Sequence, residues 1–289
     1  MREVIVGIGE ILWDVFPEGK VLGGAPANFA YHVSQFGLEG FAVSAIGRDA
    51  LGAEIMQVLN EKQLKTQISA TDYPTGVVQV TLDGKGIPNY EIREQVAWDY
   101  IPFTPELEAL ARQTKALCFG SLAQRSEVSR TTIKRFVSAV PADAMKIFDI
   151  NLRQHFYNKA LIQESLKLCN VLKINDEELV LLAELFECDC EPDEATARKL
   201  MRDYALDIVV LTKGTAGSHV FTAEESSFMP TPIVTVADTV GAGDSFTAAF
   251  TASLLKGRSI TQAHEKAVEV SAFVCTQHGA MPVLPPDLL

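Results

Sequence analysis

Short apolar runs alternating with amphipathic stretches constrain this chain most. Val4 to Gly9, Phe41 to Ile46, Ala116 to Gly120, Met145 to Ile150, Val171 to Ile174 and Ile208 to Thr212 have the length and composition of strands buried on both faces. Helical patterns lie between them: Pro26 to Gln35, with Phe29, Val33 and Phe36 on one side, about Leu51 to Lys62, and near 126–140, 158–169, 176–186 and 193–204. This succession predicts an α/β fold, a doubly wound, mostly parallel central sheet flanked by helices. Ligands of such sheets gather outside the carboxyl ends of the strands.

One interval breaks the alternation. Between 66 and 98, Val77 to Leu82 and Tyr90 to Arg93 are β-rich and joined by Asp83-Gly84-Lys85-Gly86, a hairpin signal with no helix between. The sequence therefore predicts a small inserted β lid at 66–98 on a core of 1–65 and 99–289. A two-stranded element is not stable alone in water, so it must pack on the core, on substrate, or on the same element of a second subunit. Val78, Val80 and Leu82 alternate with Gln79 and Thr81 and supply one face to bury. A homodimer through the lid is the expected assembly.

Charge narrows the partners. The 289 residues carry a net charge of −12, which argues against nucleic acid or an anionic membrane surface as a partner. An anionic substrate must then be held by local features. No apolar run approaches the roughly 20 residues of a membrane span, and Met1 leads into a strand without a signal-peptide pattern, so a cytoplasmic location is expected. The five cysteines (118, 169, 188, 190 and 275) are scattered and odd in number, unlike a disulfide framework, and Cys188-x-Cys190 lacks the partners of a zinc site.

Asp238-Thr239-Val240-Gly241-Ala242-Gly243-Asp244 precedes an apolar, small-residue run from Thr247 to Leu255 and reads as a tight turn feeding a helix. Free N–H groups of the first helical turn, reached past two glycines, make an anion site. Asp244 is a carboxylate where an anion is expected. It suits a general base acting on the group that receives a phosphate, or a helix cap.

Other polar clusters fall at strand ends. Gly7-x-Gly9 invites a dinucleotide-binding reading, which fails because the third glycine would fall at Leu12. Asp14 follows the first strand, as a ligand contact or a loop-capping acid. Gly23-Gly24 precede a helix that starts at Pro26, and Asn28 in its first turn can both donate to and accept from hydroxyls. Asp149-Ile150-Asn151-Leu152-Arg153 and Asn175-Asp176-Glu177-Glu178 open onto the same edge, and Asn175 with Glu178 is also a natural capping pair. Thr212-Lys213-Gly214-Thr215-Ala216-Gly217 could hold a nucleotide or form a plain hairpin turn.

Taken in order, Gly23-Gly24 with Asn28, Ala45-x-Gly47-x-Asp49-x-x-Gly52, Asp149-x-Asn151-x-Arg153, Asn175-x-x-Glu178, Thr212-Lys213-Gly214 and Asp238 to Asp244 resemble the ribokinase-like, PfkB-type carbohydrate kinases along the whole chain. The resemblance implies that ATP phosphorylates a primary hydroxyl of a sugar or nucleoside. Asp244 would be the base, with the Gly241, Ala242 and Gly243 amides as the anion hole. Asp14, Gly23, Gly24, Asn28 and Arg153 would hold the sugar, with Arg93 reaching it from the lid. Thr212, Lys213, Gly214 and Gly217 would lie along ATP with Gly243. Asn175 and Glu178 would organise Mg²⁺ through water. Asp238, Val240 and Gly279 would form a loop for a monovalent cation such as K⁺.

Two positions depart from the pattern. Ile150 stands where proline is common, and Val283 where a hydroxyl side chain is common in the cation loop. Gly9-Glu10-x-x-x-Asp14, Arg93-Glu94 and Phe148 to Arg153 look most like the fructokinase branch. Ribokinase, 2-keto-3-deoxygluconate kinase and nucleoside kinases share the frame. A sugar-binding regulator without turnover is the alternative from another class, opposed by the intact Asp244 and anion turn.

Overall fold

The computed structural model describes residues 3–16, 19–82, 88–187 and 194–289, with side chains outside 80–90. The strands are β1 (Val4–Ile8), β2 (Leu12–Phe16), β3 (Gly19–Gly23), β4 (Glu39–Gly47), β5 (Lys65–Thr71), β6 (Gly76–Leu82) and β7 (Pro88–Ile92). They continue with β8 (Thr114–Phe119), β9 (Met145–Asp149), β10 (Val171–Asn175), β11 (Ile208–Thr212), β12 (Ser218–Phe221) and β13 (Ser226–Met229). The helices are α1 (Ala25–Gln35), α2 (Ala50–Glu61), α3 (Pro105–Ala111), α4 (Glu127–Ala139) and α5 (Lys159–Leu168). They continue with α6 (Asp176–Leu185), α7 (Glu194–Tyr204), α8 (Ala242–Leu255) and α9 (Ile260–Cys275).

Among the described residues, nine strands form the large sheet in the order β13-β12-β11-β10-β9-β8-β1-β4-β5. All neighbours pair in parallel except β11 with β12 and β12 with β13. From β1 the chain winds outward to β4 and β5, then returns to β8 on the other side of β1. The sheet is thus doubly wound, and its switch point lies at the carboxyl ends of β1 and β8, where a crevice must open.

Each face of the sheet buries its own set of side chains. Val6, Ile8, Leu117, Phe119, Phe148, Leu172 and Leu211 pack with apolar residues of α4 to α7. Ile5, Ala116, Ile147 and Val171 point the other way, onto Phe29 and Val33 of α1 and Ala248 of α8. Alternate residues of one strand serving opposite faces is the period-2 pattern that made these runs read as continuous apolar stretches. α8 is buried nearly all round, and Ala248, Ala249 and Ala252 let it sit close to α1 and α9.

The second sheet runs β3-β2-β6-β7. Its composition differs from the interval 66–98 expected from sequence. Lys65–Thr71 pairs with β4 at the edge of the large sheet, and two strands of the small sheet come from the segment just after β1. Asp14 accordingly stands within a strand, paired with Val21 and Val78, and not in a loop beyond a strand end. The β2–β3 segment is too short and too mixed to carry a period-2 signal, and only the partner β6 makes it a sheet. The buried Val78 and Ile92 turn one face of the small sheet to the core, while the expected turn at 83–86 and the side chains of Val80 and Leu82 lie outside the described residues. Cys118, Cys169 and Cys275 are free thiols, and 188 and 190 fall outside the described residues.

Both ends of the small sheet's second half are tethered. Asp49 caps α2 through Gly52 N–H (2.8 Å) and also accepts from Thr75 N–H (2.9 Å) and Thr75 Oγ1 (2.6 Å), just before β6. The motif around Gly47 and Asp49 is therefore a fastening. Beyond β7, Arg125 forms a two-bond pair with buried Asp99 (2.8 and 2.9 Å), lies over Trp98, and donates to the Arg93 carbonyl at 2.5 Å.

Two fully buried histidines join distant elements. His32 Nε2 donates to the Ala280 carbonyl (2.8 Å), and His264 sits between Ser218 Oγ (2.7 Å) and Ser227 Oγ (2.9 Å). Burial lowers each pKa to about 4. Between the ordinary value and about 4 the unfolded chain binds more protons than the fold, so stability is lost as pH falls. Thermal unfolding should show Tm falling once pH drops below about 6.5, and His264→Gln should reduce that dependence. A Tm flat down to about pH 5 would contradict this account.

Candidate active site

The turn at 238–244 lies over the switch point because α8 packs along α1, which itself covers β1. Gly241 is the residue before α8 and has φ 79°, which a β-carbon would oppose, and such an atom would also meet Ala280 at 2.7 Å. The first-turn N–H groups therefore face outward with the positive end of the helix. Of the three amides expected in the anion hole, that of Ala242 already donates to the Thr239 carbonyl at 3.3 Å.

Asp244 does not cap α8. It is the third helical residue, and its Oδ2 accepts from Asn28 Nδ2 at 2.7 Å. Asn28 rides in the first turn of α1, after Gly24, whose φ of 123° and contact with the Glu10 carbonyl exclude a side chain there. One hydrogen bond thus joins the two helix starts that the sequence singled out separately. Burial, followed by the repulsion of Asp149, raises the Asp244 carboxyl to about 7, against the lowering effect of Asn28 and Lys173. A carboxyl poised near neutrality and aimed at a crevice is suited to take a proton from a hydroxyl.

The crevice beside Asn28 carries further acids. Asp14 is pushed up to about 6 by burial, with Arg153 opposing, and a side chain on Gly23 would collide with its Oδ2. Glu10, buried and raised by desolvation, has an Oε2 without a hydrogen-bond partner, and with Asp149 and Asp244 it lines a cavity of about 10 Å³, room for about one water. The second carboxamide atom of Asn28, Oδ1, is also buried and unpaired. Arg153 is exposed, donates to the Leu152 carbonyl (3.0 Å), and bears electrostatically on both Glu10 and Asp14. Arg93 is exposed and contributes its backbone carbonyl to Arg125.

On the other side of the turn lies a groove of about 460 Å³. Thr212, Gly214, Gly217 and Gly243 line it as expected, together with apolar Phe246, Val268 and Ala272 from α8 and α9. Lys213 is not part of that lining. Thr231 Oγ1 donates to the Gly214 carbonyl (2.6 Å) and fixes the wall. A long apolar slot ending at a helix N-terminus has the shape for a base followed by phosphates.

Asn175 and Glu178 form the capping box, with Asn175 Oδ1 accepting from Glu178 N–H (2.8 Å) and Glu178 Oε2 from Asn175 N–H (3.0 Å). Glu178 Oε1 also accepts from Leu152 N–H (2.9 Å), holding the Arg153 segment. The carboxyl is buried, and desolvation raises its pKa. Asp238 accepts from Val240 N–H (3.0 Å) and Gly279 N–H (3.1 Å), so the three residues of the expected cation loop are drawn together. Among the described residues no group of three or more His, Cys, Asp or Glu side chains is placed to hold a metal directly.

From sequence, Asp149 and Glu10 enter only as parts of their motifs, and Lys173 is passed over. The signal for Lys173 was present, a lysine at the centre of an apolar run that had to be a buried strand. Its Nζ bonds Asp149 Oδ1 at 3.1 Å. Burial opposes its charge, but Asp149, Glu178 and Asp244 together hold its pKa above the usual value.

Comparison with known proteins places the chain in a family. The family model for pfkB family carbohydrate kinase matches residues 14–287. The chain is 28% identical to a fructokinase of Salmonella typhimurium over 96% of its own length and 95% of that protein's. It is also 28% identical to an ATP-dependent 6-phosphofructokinase of Thermoanaerobacterium thermosaccharolyticum, covering 92% and 82%. Its fold superposes with a TM-score of 0.86 on a crystal structure of fructokinase with bound ATP from Xylella fastidiosa, at 22% identity and covering 99% and 96% of the two chains. Since that family model spans nearly all of the sequence, this chain belongs to the PfkB family of carbohydrate kinases.

Proposed function

We propose that the protein transfers the γ-phosphate of ATP to a primary hydroxyl of a free monosaccharide, fructose being the favoured substrate. The hydrogen bond between Asn28 and Asp244 carries this reading, because it sets a near-neutral base at the junction of a polar crevice and an anion-binding helix start. The sugar hydroxyl gives its proton to Asp244 and its oxygen attacks the γ-phosphorus, while the bond to the β-phosphate breaks to release ADP. The Gly241 and Gly243 amides and the α8 dipole stabilise the charge that accumulates on the transferring group.

Glu10, Asp14 and Asp149 outnumber the cations Lys173 and Arg153 on the acceptor side, which favours a neutral polyol over a sugar that already carries a phosphate. That supports a fructokinase rather than a phosphofructokinase reading. Ribose, 2-keto-3-deoxygluconate and nucleosides share the needed hydroxyl and are the runners-up. Mg²⁺ fits as a metal carried on the ATP phosphates and hydrated toward Asn175 and Glu178, since such ions keep most of their waters. A monovalent cation would sit in the Asp238, Val240 and Gly279 loop. On this reading the enzyme works in the cytoplasm; among the described residues no helix is long and apolar enough to cross a membrane.

The small sheet is assigned the role of a lid over the sugar, and its outer face that of a homodimer contact. Because Thr75 and Arg93 tether β6 and β7 to the core, closure would be a bend of the sheet between fixed ends.

An ATP-consumption assay over fructose, fructose 6-phosphate, ribose, 2-keto-3-deoxygluconate and adenosine should give the highest kcat/KM with fructose and no turnover in excess chelator. Preference for fructose 6-phosphate would reverse the acceptor assignment. Asp244→Asn should lower kcat by about 10² to 10⁴ while sugar and ATP still bind. Since the raised carboxyl must be ionised to act, kcat/KM of the wild type should fall as pH drops below about 7, and an unchanged rate at about pH 5.5 would remove Asp244 as the base. Hydrogen exchange across 76–96 should slow at saturating sugar if the sheet closes, and a monomeric mass in solution would refute the dimer.

A further inference from the structure

On the side of β10 that faces α8, Lys173 follows Val171 and is buried. Register places Lys173 beside Asp149 of β9 and Val210 of β11, and its Nζ reaches Asp149 Oδ1 at 3.1 Å. The same Nζ lies 3.1 Å from the point where a β-carbon on Gly243 would stand. The ammonium therefore stands against Gly243 in the first turn of α8, where any side chain would press on it.

This is a costly place for a cation. Burying an ammonium is unfavourable, and facing it toward the positive end of a helix adds repulsion. Charge balance for Asp149 alone would not call for it, because a buried ion pair can be exchanged for neutral residues with little loss of stability. What the position does achieve is addition of fields: the helix start and the ammonium converge on one small region. That region is where the phosphoryl group would lie if Asp244 accepts the sugar proton.

We propose that Lys173 is an electrostatic positioning residue of the phosphoryl transfer, its fixed charge, held by Asp149 under Gly243, stabilising the negative charge that gathers on the transferring group. Lys173 neither gives nor takes a proton in the step. The inference rests on the phosphotransfer role proposed for Asp244 and the α8 turn.

Lys173→Met should lower kcat by about 10²-fold, the size expected for losing one preorganised electrostatic partner, while the Kd values of ATP and sugar move less than about threefold. Affinity for the mixture of MgADP, aluminium fluoride and sugar, which mimics the charged transition state, should fall in step with kcat. The same substitution made in an Asp149→Asn background removes the question of an unbalanced buried carboxylate, and there too it should cost about 10²-fold relative to Asp149→Asn alone. If Lys173 only balances Asp149, the second substitution will add nothing, and the inference fails; it also fails if ATP affinity drops as much as kcat. Should Lys173→Met not fold, the comparison within the Asp149→Asn background decides by itself. A wild-type protein that consumes no ATP with any sugar would instead sink the underlying kinase role, whereas an active Lys173→Met beside an inactive Asp244→Asn sinks this inference alone.

Discussion

The molecule depends on a buried imbalance of charge at the switch point of its sheet. Glu10, Asp149 and Asp244 line one small cavity, and the buried Lys173 is bonded to Asp149. Desolvation makes ionised carboxyls expensive there, so Asp244 keeps its proton to unusually high pH. The fold gives up stability to hold such a group, and the α8 helix start and Lys173 limit the cost. The α8 helix start and the Lys173 ammonium place positive charge beside the turn, although the chain as a whole is acidic.

Placement of these groups follows from winding direction. Because the chain reverses at β1, the loops after β1 and β8 diverge and leave a crevice that α1 and α8 roof from one side. Small residues along α8 let it approach α1 closely enough for Asn28 to reach Asp244. The C-terminal segment locks the roof: His32 holds the Ala280 carbonyl, Gln35 the Pro282 carbonyl and Leu284 N–H, and Lys62 the Met281 carbonyl. Ala280 in turn packs on Gly241. Helix α1, the turn before α8 and the C-terminal segment are thus fastened to one another.

Family patterns acquire distinct physical meanings on this frame. The Gly47 to Gly52 motif fastens the entry to the small sheet through Thr75. Glu178 completes a capping box and restrains the Arg153 segment, so any part it takes in metal binding must be compatible with both its oxygens accepting backbone hydrogen bonds. Gly23 and Gly24 keep side chains out of the space beside Asp14 and Glu10.

The sequence by itself determined the fold class and, within a residue or so, the limits of α1, α2 and α4 to α7, whereas α3 and α9 had no reading there. Apolar runs of strand length are dictated by burial on both faces, as in Ile208–Thr212, and the glycine at 241 is dictated by its left-handed backbone. Both are local requirements, readable without knowing what packs where. Tertiary structure alone decided the rest. β2 and β3 exist because β6 lies alongside them, and Lys65–Thr71 joined the large sheet because β4 offered an open edge. Asp244 could have been a cap until Asn28, 216 residues away in sequence, was brought to 2.7 Å from it. Lys173, Asp149 and Glu10 became a charge cluster for the same reason: coulombic coupling acts through space, and spacing along the chain carries no record of it.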